Sequence, residues 1–301
     1  MSVLKETKST CKQYNFVPLR RRGQNFLINP KIIERIIDVA KIDREDIILE
    51  IGPGLGALTE EIVNKCKKII VVEIDQKLAQ ILKERLRKHK NIEIVRASIL
   101  DGIPDLSLKG KKYKVVASLP FNIVGRILRI LMTEKDKLES IVVVVQKEVA
   151  QRIIAQPPYM SLLSLSIQFY SRVNVVFDIN RSNFWPQPRV DSTVLKIEPK
   201  ECKVKKEIEN NFFRLIKAGF SSKRKYLLNN LSKNVIMQDI KYKEQKTNNK
   251  KQTIINNQMN YFIPGRKEFF LNIFREIGLN EKVRAQELSI EQWIQLASKI
   301  N

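Results

Sequence analysis

The stretch "ILEIGPGLGALTEEI", residues 48–62, decides the fold. A short β-branched run gives way to glycine at every second position, Gly52, Gly54 and Gly56, and then to a helical pattern from Ala57. Glycines between a strand and a helix let the turn close tightly and let backbone approach a ligand. The motif alone leaves two cofactors open. Gly52, Gly54 and Ala57 also satisfy the dinucleotide pattern, which would make this a nicotinamide site. Glu73, twenty-one residues beyond Gly52, ends the next run in "VVEID", where a carboxylate can accept hydrogen bonds from ribose hydroxyls. Both adenosine-containing cofactors need that group.

Working outward, "DIILEI", "KIIVVEI", "IEIVR", "YKVVA" and "SIVVVVQ" are further short apolar runs, separated by helical stretches such as "ALTEEIVNKC" and "QKLAQILKERLRKH". Strands alternating with helices predict an α/β fold with a Rossmann-like, doubly wound parallel sheet. "RVNVVFDI" and "STVLKIE" have no helix between them and predict an antiparallel pair closing one sheet edge. Beyond Pro199 the pattern is helical only, in "IENNFFRLIKAGF", "SSKRKYLLNNL", "KEFFLNIFREIG" and "SIEQWIQLASKI". The expected organisation is a mobile tail over 1–19, a Rossmann-like sheet domain over 20–199 and a small all-helical domain over 200–301. Residues 239–260, with 13 Lys, Asn and Gln among 22, read as a polar insertion in that last domain. Asn29 and Pro30 predict the start of the first helix after the loop "GQNFL".

The chain has 301 residues, 43% of them hydrophobic, which excludes global disorder and suggests two domains. Its net charge of +23 points to a polyanionic partner. The charge is regional: residues 211–270 carry 13 Lys+Arg against 3 Asp+Glu, whereas residues 31–60 are net −3. Cys11, Cys66 and Cys202 are far apart and His89 is the only histidine, so no metal site is expected. No apolar run reaches membrane-spanning length and the amino terminus is polar. The expectation is a soluble, cytoplasmic monomer with no membrane partner.

"YKVVASLPFNIVGRI", residues 113–127, separates the two cofactor readings. A strand running from Tyr113 must stop near Leu119, because proline cannot continue a ladder. In an open α/β sheet ligands gather outside the strands' carboxyl ends, so this segment faces the same crevice as the glycine loop. Ser118, the Leu119 carbonyl held outward by Pro120, and the Phe121 ring suit a flat amino-heterocycle. A dehydrogenase has no need of them.

The order "GQNFL", "EIGPGLGALT", "VVEID", "SLPFN" and "FWPQPRVDS" resembles the KsgA/Erm family of rRNA adenine N6-dimethyltransferases, specifically the bacterial small-subunit (16S) rRNA branch. The resemblance covers residues 20 to about 235 and the final "LSIEQWIQLA". It implies S-adenosylmethionine as cofactor and 16S rRNA within the small ribosomal subunit as partner. The implied reaction dimethylates N6 of two adjacent adenines in a loop near the rRNA 3′ end. The family's cofactor contacts fall on Asn25, Leu27, Gly52 and Glu73, with Gly54 and Gly56 completing the turn. Two positions depart from the family pattern. Ser98 stands where the family has an acid, with Asp101 three residues later, and Ser118 stands where the family's catalytic tetrapeptide begins with asparagine.

The implied chemistry needs acceptors for the adenine amino hydrogens, supplied by Ser118 and the Leu119 carbonyl, and a ring to stack the flipped base. Phe121 and Phe184 are the candidate rings, with ordinary core packing the alternative for Phe184. RNA contact is expected at Lys223, Arg224 and Lys225, read as the first turn of a helix capped by Ser221, and at Arg20, Arg21 and Arg22. Two other functions remain to be weighed. One is a catalytically weak or inactive rRNA-binding assembly factor of the same fold, which Ser98 and Ser118 support. The other is a large-subunit rRNA methyltransferase, which "FWPQPRVDS" disfavours.

Overall fold

The computed structural model describes residues 2–19, 22–108, 110–120, 123–235 and 265–300. The chain divides into two compact units, Met1–Ile154 with Tyr170–Glu201, and Ala155–Phe169 with Cys202–Asn301.

The first unit is built on a sheet. In chain order it contains α1 (Val3–Gln13), β1 (Phe26–Leu27), α2 (Pro30–Ala40), β2 (Ile47–Ile51), α3 (Ala57–Val63), β3 (Lys68–Val72), α4 (Gln76–Arg85), β4 (Ile92–Val95), β5 (Tyr113–Ser118), α5 (Val124–Thr133), β6 (Leu138–Gln146) and α6 (Lys147–Ile154). After the excursion into the second unit come β7 (Ser171–Ile179), β8 (Phe184–Trp185) and β9 (Ser192–Pro199). Seven strands form one sheet in the order β4-β3-β2-β5-β6-β9-β7. The first five are parallel to one another, and β9 runs antiparallel to both β6 and β7. The expected antiparallel pair does close the edge, with β9 inserted between β6 and β7.

Burial follows from the residues. All five side chains of β2 are buried, as a central parallel strand covered on both faces requires. The α2 helix begins as expected: Asn29 Oδ1 accepts from the Lys31 N–H at 3.1 Å, with proline at its first turn. Its Ile33, Ile36 and Ile37 join Ile48, Ile62, Val116 and Val144 in the main core.

Residues 1–19 differ from the expected mobile tail. Ser2 caps α1, and the chain from Cys11 to Phe16 packs with Phe26, Leu55, Leu78 and Ile81 in a second cluster. Arg85 holds the helix electrostatically, pairing with Glu6 on α1 and Glu60 on α3.

The second unit contains α7 (Leu162–Gln168), α8 (Lys206–Gly219), α9 (Leu227–Asn234), α10 (Arg266–Glu276) and α11 (Ile290–Ser298). The segment "SLLSLSIQFY", read from sequence with the sheet, thus groups largely with the helices. Gly219 is where α8, α9 and α11 meet: a Cβ there would stand 2.6 Å from the Trp293 ring and 2.8 Å from Leu227. The polar insertion expected at 239–260 lies outside the described residues.

The start of α9 corrects the sequence expectation. Ser221 caps no helix; its hydroxyl accepts from Asn234 Nδ2 at 2.9 Å. Lys223, Arg224 and Lys225 lie in a turn ahead of the helix, closed by the Lys225 N–H to Ser222 carbonyl bond. Two distant partners impose this. Asn230 Nδ2 donates to the Gly219 and Ser222 carbonyls at 2.7 and 2.9 Å, and the Leu227 N–H donates to the Val283 carbonyl. The three cations therefore lie outside the first turn of the helix. Among the described residues, no helix is long and apolar enough to cross a membrane.

Candidate active site

The carboxyl ends of β2, β3 and β5 open onto a cavity of about 500 Å³, inside the size range of small-molecule sites. Its wall includes Asn25 and Leu27 from the loop before α2, Gly52 and Gly54 from the turn after β2, Glu73 after β3, Ser98 after β4, and Ser118 and Pro120 at the end of β5. Eight of the residues singled out from sequence thus converge on one space. Gly56, with φ +92°, shapes the turn as the residue ahead of α3 without lining the cavity.

The glycine turn is where three loops meet. Gly54 has φ +61°, and a Cβ there would stand 2.8 Å from the Phe26 ring. Only glycine lets "QNFL" lie down on the turn. A Cβ at Gly52 would sit 3.8 Å from Pro120 Cδ, so the Ser-Leu-Pro strand end closes against the same turn. The Leu119 N–H donates to the Val144 carbonyl at 3.1 Å, fixing that strand end to β6. Among the described residues no backbone N–H donates to the Leu119 carbonyl.

Two buried carboxyls dominate the electrostatics. Glu73 is 5% exposed, and burial pushes its pKa up to about 7. The backbone N–H groups of Asp75, Gly54 and Ile74 favour the carboxylate but do not outweigh burial, and the Asp75 charge adds to the rise. Its Oε1 accepts from the Asp75 N–H at 2.8 Å. Glu50, on the same wall, is pushed up to about 8 by burial, offset in part by the neighbouring Thr59 hydroxyl and reinforced by Glu73. Its Oε2 has no hydrogen-bond partner among the described residues.

Ser98 Oγ accepts from the Leu100 N–H at 3.2 Å and caps a short turn over Ile99–Asp101. Asp101 is exposed on that turn and does not line the cavity. The position is held by a hydroxyl, and Asp101 does not replace the acid.

Several expectations are revised here. Arg22 lines the cavity and pairs with Asp75 at 2.7 Å, with Gln24 Nε2 on the same oxygen at 3.3 Å, so it is no free RNA clamp. Arg20, Arg21 and Phe121 lie outside the described residues. Phe184 is 3% exposed and packs in the main core beside Leu27, its β1 partner across the β1–β8 pair. Core packing wins over base stacking because β8 pins the loop that carries Asn25. Sequence reasoning missed Val3, Glu6 and Thr7 of α1 on the cavity wall, and Ile74 beside Glu73, 67% exposed at the rim. A large apolar residue next to a strand-end acid was the available signal for Ile74.

The glycine turn, the buried strand-end acid and the doubly wound sheet with an antiparallel edge define the S-adenosylmethionine-dependent methyltransferase class. A family model described as ribosomal RNA adenine dimethylase matches residues 19–251. Proteins named ribosomal RNA small subunit methyltransferase A are similar along nearly the whole chain. The one from Bacillus cytotoxicus is 35% identical, covering 98% of this chain and 95% of its own, and that from Bacillus mycoides is 36% identical over the same shares. Among solved structures, a dimethyladenosine transferase from Plasmodium falciparum superposes with a TM-score of 0.70 at 26% identity, covering 90% of this chain and 95% of that one. The 23S rRNA methyltransferase ErmE shares the fold, with a TM-score of 0.65 at 23% identity over 92% of this chain and 99% of that one. The chain belongs to the ribosomal RNA adenine dimethylase family.

Proposed function

We propose that the chain dimethylates N6 of two adjacent adenines in the 3′-terminal loop of 16S rRNA, using S-adenosylmethionine, during small-subunit assembly. One observation carries the reading beyond family membership. The Ser118–Pro120 strand end closes against the glycine turn at the cavity that also holds Glu73, Ser98 and Asn25.

The donor set fits the cofactor. Glu73 on the cavity wall can accept from ribose hydroxyls, Ser98 Oγ retains a lone pair for an adenine amino group, and the unpartnered Glu50 Oε2 suits an ammonium group. When bound, S-adenosylmethionine supplies an electrophilic methyl group on sulfur. The protein's own task is to hold the target amine. That nitrogen is a poor nucleophile because its lone pair is delocalised into the ring. Acceptors fixed in advance, the Ser118 hydroxyl and the Leu119 carbonyl, favour the pyramidal amine that can attack. The product proton is acidic enough to leave to water, so no strong base is needed. Extruding the adenine costs a few kcal/mol, and Phe121 is assigned by sequence as the ring that repays it by stacking.

We assign cofactor binding and methyl transfer to the sheet unit and RNA docking to the helical unit, with Lys223, Arg224 and Lys225 as phosphate contacts. The protein is proposed to act as a cytoplasmic monomer. The deciding assay is tritiated S-adenosylmethionine with unmethylated small subunits, scored for label in the 3′ loop. Label in two adjacent adenines is expected. Tight subunit binding with no label anywhere would replace catalysis with a binding role in assembly.

A further inference from the structure

Two tyrosines in the helical unit are poorly explained by packing. Tyr159 is 76% exposed and Tyr226 is 40% exposed. Neither side chain has a ring or hydrogen-bond partner among the described residues. The backbone ties both to one short segment. The Met160 N–H, next to Tyr159, donates to the Gln286 carbonyl at 2.9 Å, and the Leu227 N–H, next to Tyr226, donates to the Val283 carbonyl at 2.8 Å. Val283 and Gln286 are three residues apart, so the two anchors lie within roughly 10 Å.

The surroundings are cationic. Lys223, Arg224 and Lys225 immediately precede Tyr226, and Lys282 and Arg284 lie on or beside the segment between the anchors. None of the five forms an ion pair among the described residues. The acids nearby in sequence are engaged: Glu287 accepts from the Arg284 N–H at 2.9 Å, and Glu281 faces Arg275 at 4.0 Å. Exposed rings among unpaired cations match a surface on which unpaired bases stack while phosphates are held electrostatically. A duplex, with its bases already stacked, would gain little from the rings.

We propose that Tyr159 and Tyr226, flanked by Lys282 and Arg284, form a stacking platform for unpaired RNA bases separate from the methylation cavity. The inference rests on the RNA-methylation reading only for the identity of the polymer. The test uses the full chain with a short labelled single-stranded RNA and an RNA duplex of equal length. Tyr159→Leu and Tyr226→Leu should each weaken single-strand binding by about fivefold or more, from the usual worth of a stacked base. The Phe variants should stay within about twofold of wild type. The salt slope should not change, because a neutral ring neutralises no phosphate. Wild-type single-strand affinity in both Leu variants, or an equal loss on the duplex, would overturn the platform. A loss seen only with whole subunits would assign the tyrosines to a ribosomal protein and equally overturn it. Methyl transfer separates the two claims. Label from wild type with unaffected Leu variants removes this inference alone, whereas no label with Leu-sensitive RNA binding removes the catalytic reading alone.

Discussion

Replacing Glu73 by glutamine should flatten a pH dependence that the wild-type cofactor affinity ought to show. Burial holds the free carboxyl near 7 instead of 4.5, which corresponds to about 3 kcal/mol against ionising it in place. Ribose hydroxyls donate best to the carboxylate, so binding draws on the ionised fraction and releases a proton. The share due to Glu73 should therefore rise nearly tenfold per pH unit below about 7 and level off above it, a gain of about thirtyfold between about pH 5.5 and about pH 8, with Glu50 continuing the rise in wild type and Glu73→Gln alike. Stability moves the other way. A carboxyl raised in the folded state contributes stability that is full below its unfolded value and is lost as pH rises through the folded one. The free protein should thus lose up to about 3 kcal/mol from Glu73 as pH climbs from its unfolded value to beyond 7. Glu50, raised to about 8, adds to the stability trend, so the difference between wild type and Glu73→Gln is the quantity to read. Calorimetry with S-adenosylhomocysteine in two buffers of different ionisation enthalpy gives affinity and proton release together. A flat wild-type profile, or an unchanged one in Glu73→Gln, would refute the assignment of Glu73 to the ribose.

Gly54→Ala should cost about 1–3 kcal/mol, since it forces a Cβ against the Phe26 ring at a positive φ; thermal unfolding and cofactor titration should both report it. Ser118→Ala should lower turnover by removing one acceptor, about 0.5–1.5 kcal/mol or more if the bond tightens in the transition state. Ser118→Asn should raise it, and equal rates for wild type and both variants would remove Ser118 from the chemistry. Replacing Lys223, Arg224 and Lys225 by alanine should flatten the plot of log affinity against log salt by roughly 0.7–0.9 for each phosphate no longer neutralised. An unaltered slope would move the RNA surface elsewhere.

What the sequence disclosed was governed by local pattern. The β-branched runs, the glycine turn and Glu73 depend on neighbours within a strand–turn–helix unit, so their spacing carries the information. The amino-terminal helix was hidden because the face it buries is made of Thr7, Thr10 and Cys11, small residues that give almost no apolar signal. The late start of α9 was hidden for another reason. Asn230 and the Val283 carbonyl, distant in sequence, hold Ser221–Lys225 out of the helix. Arg22 reads from sequence as an RNA contact beside Arg20 and Arg21 because its partner, Asp75, is more than fifty residues away. Phe184 reads either way from sequence because its β1 partner, Leu27, is distant along the chain.

Because Val3, Glu6 and Thr7 belong to the cavity wall and Arg85 ties that helix to α3, α1 is part of the candidate site. Any alteration that disturbs this helix is accordingly a chemical modification of the pocket wall. Constants measured on such a protein describe the altered wall together with the enzyme, and a protein with α1 intact is the proper reference for every titration set out above.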